Sequence, residues 1–374
     1  MKILFDPHIF RWGRAGLTRY YAVLYHALRE RGFDVDLPVF ISACPYLKGR
    51  VVIDATETVP RGKRRLLHDA GRLSRYLYHR RLASQRYNAL VVTEPTFDDT
   101  FLAYVGKTPW LMVVHDTMST AWLPYSVVDM PGDNLHRLSY LARRATHVVC
   151  ISQWTQSQLI AATGMPASRT SVVLSANFLH PSRPCPAHLP HLPERYILFV
   201  GARSLRKGFH TLVQALGPLF QRDEELYLVC TSGPFTVWEQ DFLDHAGLGR
   251  RTLGWHATDE ELVALYQNAL CLAYPSVSEG FGFPVAEAMG YGCPVVTSGT
   301  TSLPEVGGDA ALYVDPTDTE ALREQIGRVV QDAALRDRLR AAGRARAAQA
   351  LDVRRWGDEM AQQVRYVAQM GQGG

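Results

Sequence analysis

The 374 residues contain no uninterrupted apolar run of about 18 residues, the length a membrane-crossing helix needs, so no spanning segment is expected. The opening MKILFDPHIF enters a strand-like run at once, so no signal peptide is expected either and the chain reads as cytoplasmic, working at most at the inner face of a membrane. Cysteine is sparse. Six residues, Cys44, Cys150, Cys185, Cys230, Cys271 and Cys293, show no C-x-x-C spacing, which excludes a zinc framework and suggests reduced core thiols. There is no G-x-G-x-x-G fingerprint, no short-period repeat and no motif that reads DNA or RNA, so nucleic acid is excluded as a partner. Charged residues make up only 20% against 47% hydrophobic; this is a chain that packs a core rather than a disordered one.

What is present alternates. KILFD, ALVVTEP, WLMVVHD, THVVCIS and TSVVLSAN are apolar runs that end in polar residues, and helical patterns such as LTRYYAVLYHALRERG (17–32) and QWTQSQLIAAT lie between them. After HPSRPCPAHLPHLP (180–193), with five prolines in fourteen residues, the pattern restarts with YILFVGARS, LYLVCTSG, CLAYPSV and PVVTSG. Alternation of this kind implies parallel sheets with helices on both faces. Two doubly wound α/β domains are expected: residues 1–182, a proline-rich linker over 183–193, and residues 194–355. Ligands of such sheets bind beyond the carboxyl ends of the strands, so two domains facing across a cleft would place each strand-end motif at one site.

The most informative stretch is SEGFGFPVAEAMGYG (278–292). An apolar strand leads into Gly280 and Gly282, which let a ligand approach the main chain. Pro284 suits the first turn of a helix, and Gly290 and Gly292 end it. Free N–H groups and the positive end of the helix dipole make such a loop a seat for phosphate. Glu279 stands at its entry and Glu287 one turn into the helix; a carboxylate there accepts from paired sugar hydroxyls. GARSLRKG (201–208) follows another strand, and its Arg203, Arg206 and Lys207 suit a diphosphate. VVHD puts His115 and Asp116 at a strand end. GRAGLTRY (13–20) is rich in glycine, whereas DVD (34–36) begins a strand, away from strand carboxyl ends, and is read as structural rather than metal-binding.

Charge is unevenly placed. Residues 1–186 hold 23 Lys/Arg against 13 Asp/Glu, a balance of +10, and the remainder carries −6. RGKRRLLHDAGRLSRYLYHRRLASQR (61–86) has nine Lys/Arg and one acid. Leu66, Ala70, Leu73 and Leu77 recur through it at helical spacing, so it reads as a basic amphipathic helix with two uses open: a solvated face packed on the domain, or contact with an anionic membrane.

Together these motifs resemble a retaining glycosyltransferase of family 4, with the GT-B fold, over essentially the whole chain. The specific part is PSVSEGFGFPVAEAMGYGCPVVTSGTTSLPEVGGDAALYVDP (275–316), which contains the family's E-x7-E pattern. VVHD, VCISQWT, FVGARSLRKG and DEELVALY follow in the family's order, and the opening residues with TEPTFDDTFL resemble bacterial mannosyl- and rhamnosyltransferases of surface polysaccharide, including lipopolysaccharide. The resemblance implies that Glu287 binds the donor ribose and Glu279 the hydroxyls of the transferred sugar. Gly280, Phe281, Gly282, Phe283 and Pro284 would hold sugar and phosphate. Lys207 with an arginine beyond Gly201, Arg203 in preference to Arg206, would neutralise the leaving diphosphate. His115 would lie near the anomeric centre and Gly16 beside the phosphates, and the helix around Trp356, about 356–374, would return to the N-terminal domain. Ala15-Gly16 stands where the family usually has Gly-Gly, and Ala202 where many members have arginine.

The implied reaction moves a hexose from a nucleotide-diphosphate sugar, GDP-mannose-like, to a saccharide or lipid-linked saccharide. It needs no cofactor and no metal, since cations and a helix N-terminus can stabilise the leaving group. A nucleotide-sugar epimerase or hydrolase on the same fold, or a non-catalytic sugar-nucleotide scaffold, are the alternatives.

Overall fold

Apolar runs of three to five residues, buried on both faces, form the strands of two parallel sheets. The computed structural model describes residues 1–11, 16–47, 51–52, 61–93, 98–117, 134–181, 184–187, 189 and 192–371. They divide into two units, 1–174 with 353–374, and 175–352.

In the first unit, β1 (Lys2–Phe5), α1 (Gly16–Glu30) and β2 (Asp34–Asp36) precede a minor parallel pair, β3 (Ile41–Ser42) and β4 (Val51–Val52). There follow α2 (Arg61–Ser84), β5 (Ala89–Val92), β6 (Trp110–Val114), α3 (Asn134–Arg144), β7 (His147–Cys150), α4 (Gln153–Thr163) and β8 (Thr170–Val172). The main sheet runs β2-β1-β5-β6-β7-β8, all parallel. Leu90, Met112, Val148 and Leu141 pack its core. Every residue of β5 and β6 is buried, as expected for strands covered by helices on both sides. α4 shows how local sequence sets the ends: the Ser152 side chain caps the amide of Thr155, and Gly164 closes the helix in the left-handed region.

The second unit repeats the plan. β9 (Tyr196–Phe199), α5 (Phe209–Arg222), β10 (Tyr227–Cys230), α6 (Val237–His245), β11 (Thr252–Gly254), α7 (Asp259–Asn268) and β12 (Cys271–Tyr274) come first. α8 (Phe283–Gly290), β13 (Val295–Ser298), α9 (Leu303–Gly307), β14 (Leu312–Val314), α10 (Thr319–Gln331) and α11 (Ala333–Ala350) complete it. The strand order is β11-β10-β9-β12-β13-β14, again all parallel. In each sheet the first strand has its immediate successors on one side and the later strands on the other. The order therefore reverses between β1 and β5, and between β9 and β12. These are the switch points where α/β sheets take their ligands.

The last helix, α12 (Val353–Met370), belongs to the first unit. Its Trp356, Met360, Val364 and Val367 are buried, and Arg31 of the loop after α1 bonds Asp358 and the carbonyl of Arg354.

One difference from the sequence reading has a physical cause. The change of unit falls at 174/175 and not in the proline-rich stretch. The Asn177 amide bonds Leu351, the Tyr291 hydroxyl bonds the Leu179 carbonyl, and Asn268 bonds the Ala187 carbonyl, so chain beyond 175 is already fastened to the second unit. On α2, Ser74, Tyr78 and Leu82 face inward, while Leu66 and Leu73 are 47% and 51% exposed. DVD forms β2, and its Asp36 accepts from Arg81 and Tyr87, which gives this acid a structural partner pair. All six cysteines are free and all but Cys185 are buried. Among the described residues no helix is long and apolar enough to cross a membrane.

Candidate functional site

At the switch point of the second unit two loops are clasped. The first runs from Gly201 to Gly208, after β9; the second spans 275–282, after β12. Gly208 has φ +71, and a Cβ there would lie 2.0 Å from the Pro275 carbonyl oxygen, so only glycine allows the loops to approach. The Val277 amide then donates to the Arg206 carbonyl at 2.8 Å, and Arg206 Nη1 to the Ser278 carbonyl at 3.0 Å.

The clasp delivers Lys207 to Glu279. Lys207 Nζ stands 2.5 Å from Glu279 Oε1 and 2.7 Å from the Tyr274 hydroxyl. The same carboxylate oxygen accepts from Tyr274 at 2.8 Å and Ser276 at 2.6 Å, and Arg206 lies 3.8 Å from Oε2. The glutamate is buried, and its backbone is held on both sides, the amide donating to Thr301 and the carbonyl accepting from Ser302. Burial, and then the Glu279 charge, drive the Tyr274 phenol well above its ordinary range, so it stays protonated and donates. The result is a buried carboxylate ringed by hydroxyls and cations, with its geometry fixed before any ligand is bound.

Gly282, at φ +98, caps α8, and Pro284 lies in the first turn. A Cβ on Gly282 would meet Leu303 at 2.5 Å. Phe281 is buried, and its ring lies 5.0 Å from that of Phe283. Gly280 completes the loop and is buried. One turn on, Glu287 is buried and accepts from the Tyr266 hydroxyl at 2.9 Å.

Arg203 goes elsewhere. Its Nε and Nη2 donate to Glu239, Nη1 to the Gly233 carbonyl and Nη2 to the Pro234 carbonyl, with the guanidinium 4.6 Å from the Phe235 ring. It braces the start of α6, and the arginine beside Glu279 is Arg206. Gly201 takes φ +113 at the loop's start.

His115 and Gly16 lie in the first unit. Gly16 opens α1 and is exposed; Trp12–Ala15, with the position where the family usually has its first glycine, lie outside the described residues. His115 follows β6, its Nε2 3.2 Å from the Tyr21 hydroxyl. Tyr20 and Tyr21 both meet its ring edge-on, at 4.5 and 5.3 Å. Burial pushes its pKa down to about 3, so the imidazole is neutral in ordinary buffers, and its buried Nδ1 has no hydrogen-bond partner among the described residues. Sequence reasoning missed Tyr20, Tyr21, Tyr266, Tyr274 and Ser276; only Tyr274, as the polar end of CLAY, carried a signal. Among the described residues no group of three or more His, Cys, Asp or Glu is arranged to hold a metal ion.

Comparison with known proteins bears on both units. Residues 14–175 match the family model described as Glycosyltransferase Family 4, and residues 186–346 the one described as Glycosyl transferases group 1. The chain is 29% identical to O-antigen chain mannosyltransferase B of Escherichia coli, over 93% of this chain and 96% of that one. Among solved structures it is similar to sucrose-phosphate synthase of Thermosynechococcus elongatus, with TM-score 0.73, 21% identity and 99% of each chain covered. It is also similar to Anabaena HepE in complex with UDP and glucose, with TM-score 0.68, 19% identity, 98% of this chain and all of that one covered. With one model on each unit and the doubly wound pair of GT-B enzymes as its fold, the chain belongs to the family 4 glycosyltransferases.

Proposed function

We propose that this glycosyltransferase moves a hexose, mannose by preference, from a GDP-mannose-like donor to a saccharide or lipid-linked saccharide during surface polysaccharide synthesis in the cytoplasm, with retention of configuration and without a metal. The observation that carries the reading is the Lys207–Glu279 pair at the switch point of the second unit, flanked by Arg206 and the N-terminus of α8. As the sugar departs, charge builds on the diphosphate. Lys207, Arg206 and the helix N-terminus stabilise it, and preorganised cations act more strongly in the transition state than in the ground state. Glu279 takes hydroxyls of the transferred sugar, Glu287 those of the donor ribose. The backbone from Gly280 through Pro284 seats sugar and phosphate, and Gly201 and Gly16 let the chain pass close to the phosphates. His115, neutral and with Nδ1 available, contacts the sugar near its anomeric carbon. Mannose is favoured because the relative matched over nearly the full chain is a mannosyltransferase; a nucleotide-sugar site is supported by the fold shared with HepE, which was solved with UDP and glucose.

Attachment to an anionic membrane is part of this proposal. α2 exposes Leu66, Leu73 and Tyr76 beside its arginines, a combination that suits a lipid surface.

The test is a donor panel of GDP-mannose, GDP-rhamnose, UDP-glucose and UDP-N-acetylglucosamine, each with an oligomannoside acceptor, read by product NMR, with and without EDTA. An α-linked mannoside from GDP-mannose, unaffected by EDTA, is expected. A β-linked product would overturn retention, loss of activity in EDTA would overturn metal independence, and donor consumption that is indifferent to acceptor would replace transfer by hydrolysis or epimerisation.

A further inference from the structure

The segment that leaves β13 holds the loop that carries Glu279. Four of its hydroxyls reach across. Thr297 donates to the Tyr274 carbonyl at 2.8 Å and Thr300 to the Val277 carbonyl at 3.2 Å. Thr301 Oγ1 accepts from the Glu279 amide at 3.2 Å, and Ser302 donates to the Glu279 carbonyl at 2.9 Å. Glu279 is thus gripped at both of its main-chain groups. Gly280 and Gly282 follow it, and glycine does not fix a backbone by its own preference. The start of that loop is therefore pinned from outside.

One member of the clamp is strained. Thr301 has φ +57, and among the described residues it is the only non-glycine residue with positive φ. A β-branched side chain is poorly suited to that region. Such conformations persist where the surroundings over-determine them, and they collect at functional sites. Core packing does not account for this one: Ser302 and Leu303 are buried, whereas Thr301 is only half-buried. Glycine at 301 would remove the strain. What threonine adds against that strain is the hydroxyl on the Glu279 amide.

We propose that Thr301 is a positioning residue that aims Glu279 at the transferred sugar, acting through the Glu279 backbone. The proposal rests on the reading above, in which Glu279 takes hydroxyls of that sugar. It gives the glutamate two sets of anchors: Lys207, Tyr274 and Ser276 hold its carboxylate, Thr301 and Ser302 its main chain. Released at the amide, the residue can shift with the glycines beside it, and a misplacement of about 1 Å costs on the order of 10²-fold in rate.

The test uses the full chain, as wild type, Thr301→Gly and Thr301→Ser. The readouts are Tm, melting shifts with GDP and UDP, kcat and KM over the donor panel above, and hydrogen exchange of the Glu279 amide by NMR. A residue with no part in positioning would give a Thr301→Gly protein of equal or higher Tm with wild-type kcat. The expected Thr301→Gly protein has equal or higher Tm and an unchanged nucleotide shift, yet its Glu279 amide exchanges at least about tenfold faster and its kcat falls by about 10–10². Serine, which keeps the hydroxyl, should restore kcat to within about threefold. Wild-type kcat in Thr301→Gly, a serine variant as slow as the glycine one, or a loss of kcat that goes with loss of the nucleotide shift would each overturn the assignment. If the wild type binds nucleotide but transfers no sugar, faster Glu279 exchange in Thr301→Gly that serine reverses supports the clamp and overturns the glycosyltransferase reading instead.

Discussion

A lysine 2.5 Å from a buried carboxylate is already neutralised by it, so in the proposed reaction an incoming diphosphate would compete with Glu279 for it. Replacing Lys207 with alanine should therefore lower kcat by a factor on the order of 10²–10³, with a smaller loss of nucleotide affinity. Steady-state kinetics and calorimetry separate the two, and wild-type kcat with a raised KM would mean uniform binding instead. Arg203→Met should do the reverse, lowering Tm through the loss of its bonds to Glu239 and the 233–234 carbonyls while kcat per folded molecule is kept. That contrast was not legible in the sequence. Arg203 and Arg206 share one irregular turn, and which of them faces Glu279 depends on partners in the 233–235 loop and α6, distant in sequence. That Lys207 and Glu279 lie near one another was legible, because both follow buried strands and strand ends converge, whereas their direct pairing was not. His115 makes a prediction in pH. Its folded pKa, near 3, is below the unfolded value near 6.5, so between these values the unfolded chain binds more protons. Stability from this group is complete above about pH 6.5 and is lost as pH falls, by at most about 1.4 kcal/mol per pH unit. Denaturant melts of wild type and His115→Phe between pH 4 and 7 should show a shallower acid loss in the variant; parallel curves would disprove the assignment.

The long, strongly patterned elements were readable: α4 runs over the residues expected of it, and the strand–glycine–proline–helix sequence around Gly282 folds as strand, loop and helix N-terminus. β11 and β14 were not, since each has only three residues and takes its place from the neighbouring strand rather than from its own propensity. Which way the leucines of α2 face was left open by the sequence; Leu66 and Leu73 mark its outer face while Ser74 and Tyr78 point inward. That exposure has a measurable consequence. With Leu66, Leu73 and Tyr76 outward, Arg72→Glu with Arg80→Glu should abolish sedimentation with anionic vesicles at low salt, and Leu66→Ser with Leu73→Ser should weaken it with less salt dependence, both keeping the nucleotide melting shift. Equal partitioning onto neutral vesicles, or none onto anionic ones, would leave α2 a solvated face. The clasp is also an element-scale device: Gly208→Ala combines left-handed strain of about 1–2 kcal/mol with a collision against Pro275, so it should lower both Tm and kcat. A variant with wild-type values of both would show that the loops need not meet.

For the molecule as a whole, the second unit is a single continuous segment while the first is assembled from two. Residues 175–352 expressed alone should fold and keep a nucleotide melting shift. Residues 1–174 should not give a cooperative melt unless 353–374 is added, because Trp356, Met360 and Val364 fill the space beside α1. Thermal melts of the three fragments decide it; a cooperative 1–174 would show α12 to be dispensable. The Tyr20 ring that α12 touches through Trp356, at 5.0 Å, also touches His115. For anyone building hybrid enzymes, this makes the second unit an insert and not a tail: a chimera that exchanges it should splice at 174/175 and again at 352/353, returning to the host's own final helix. A single crossover would bring a foreign α12 against the host's α1 and misplace the histidine it was meant to leave untouched.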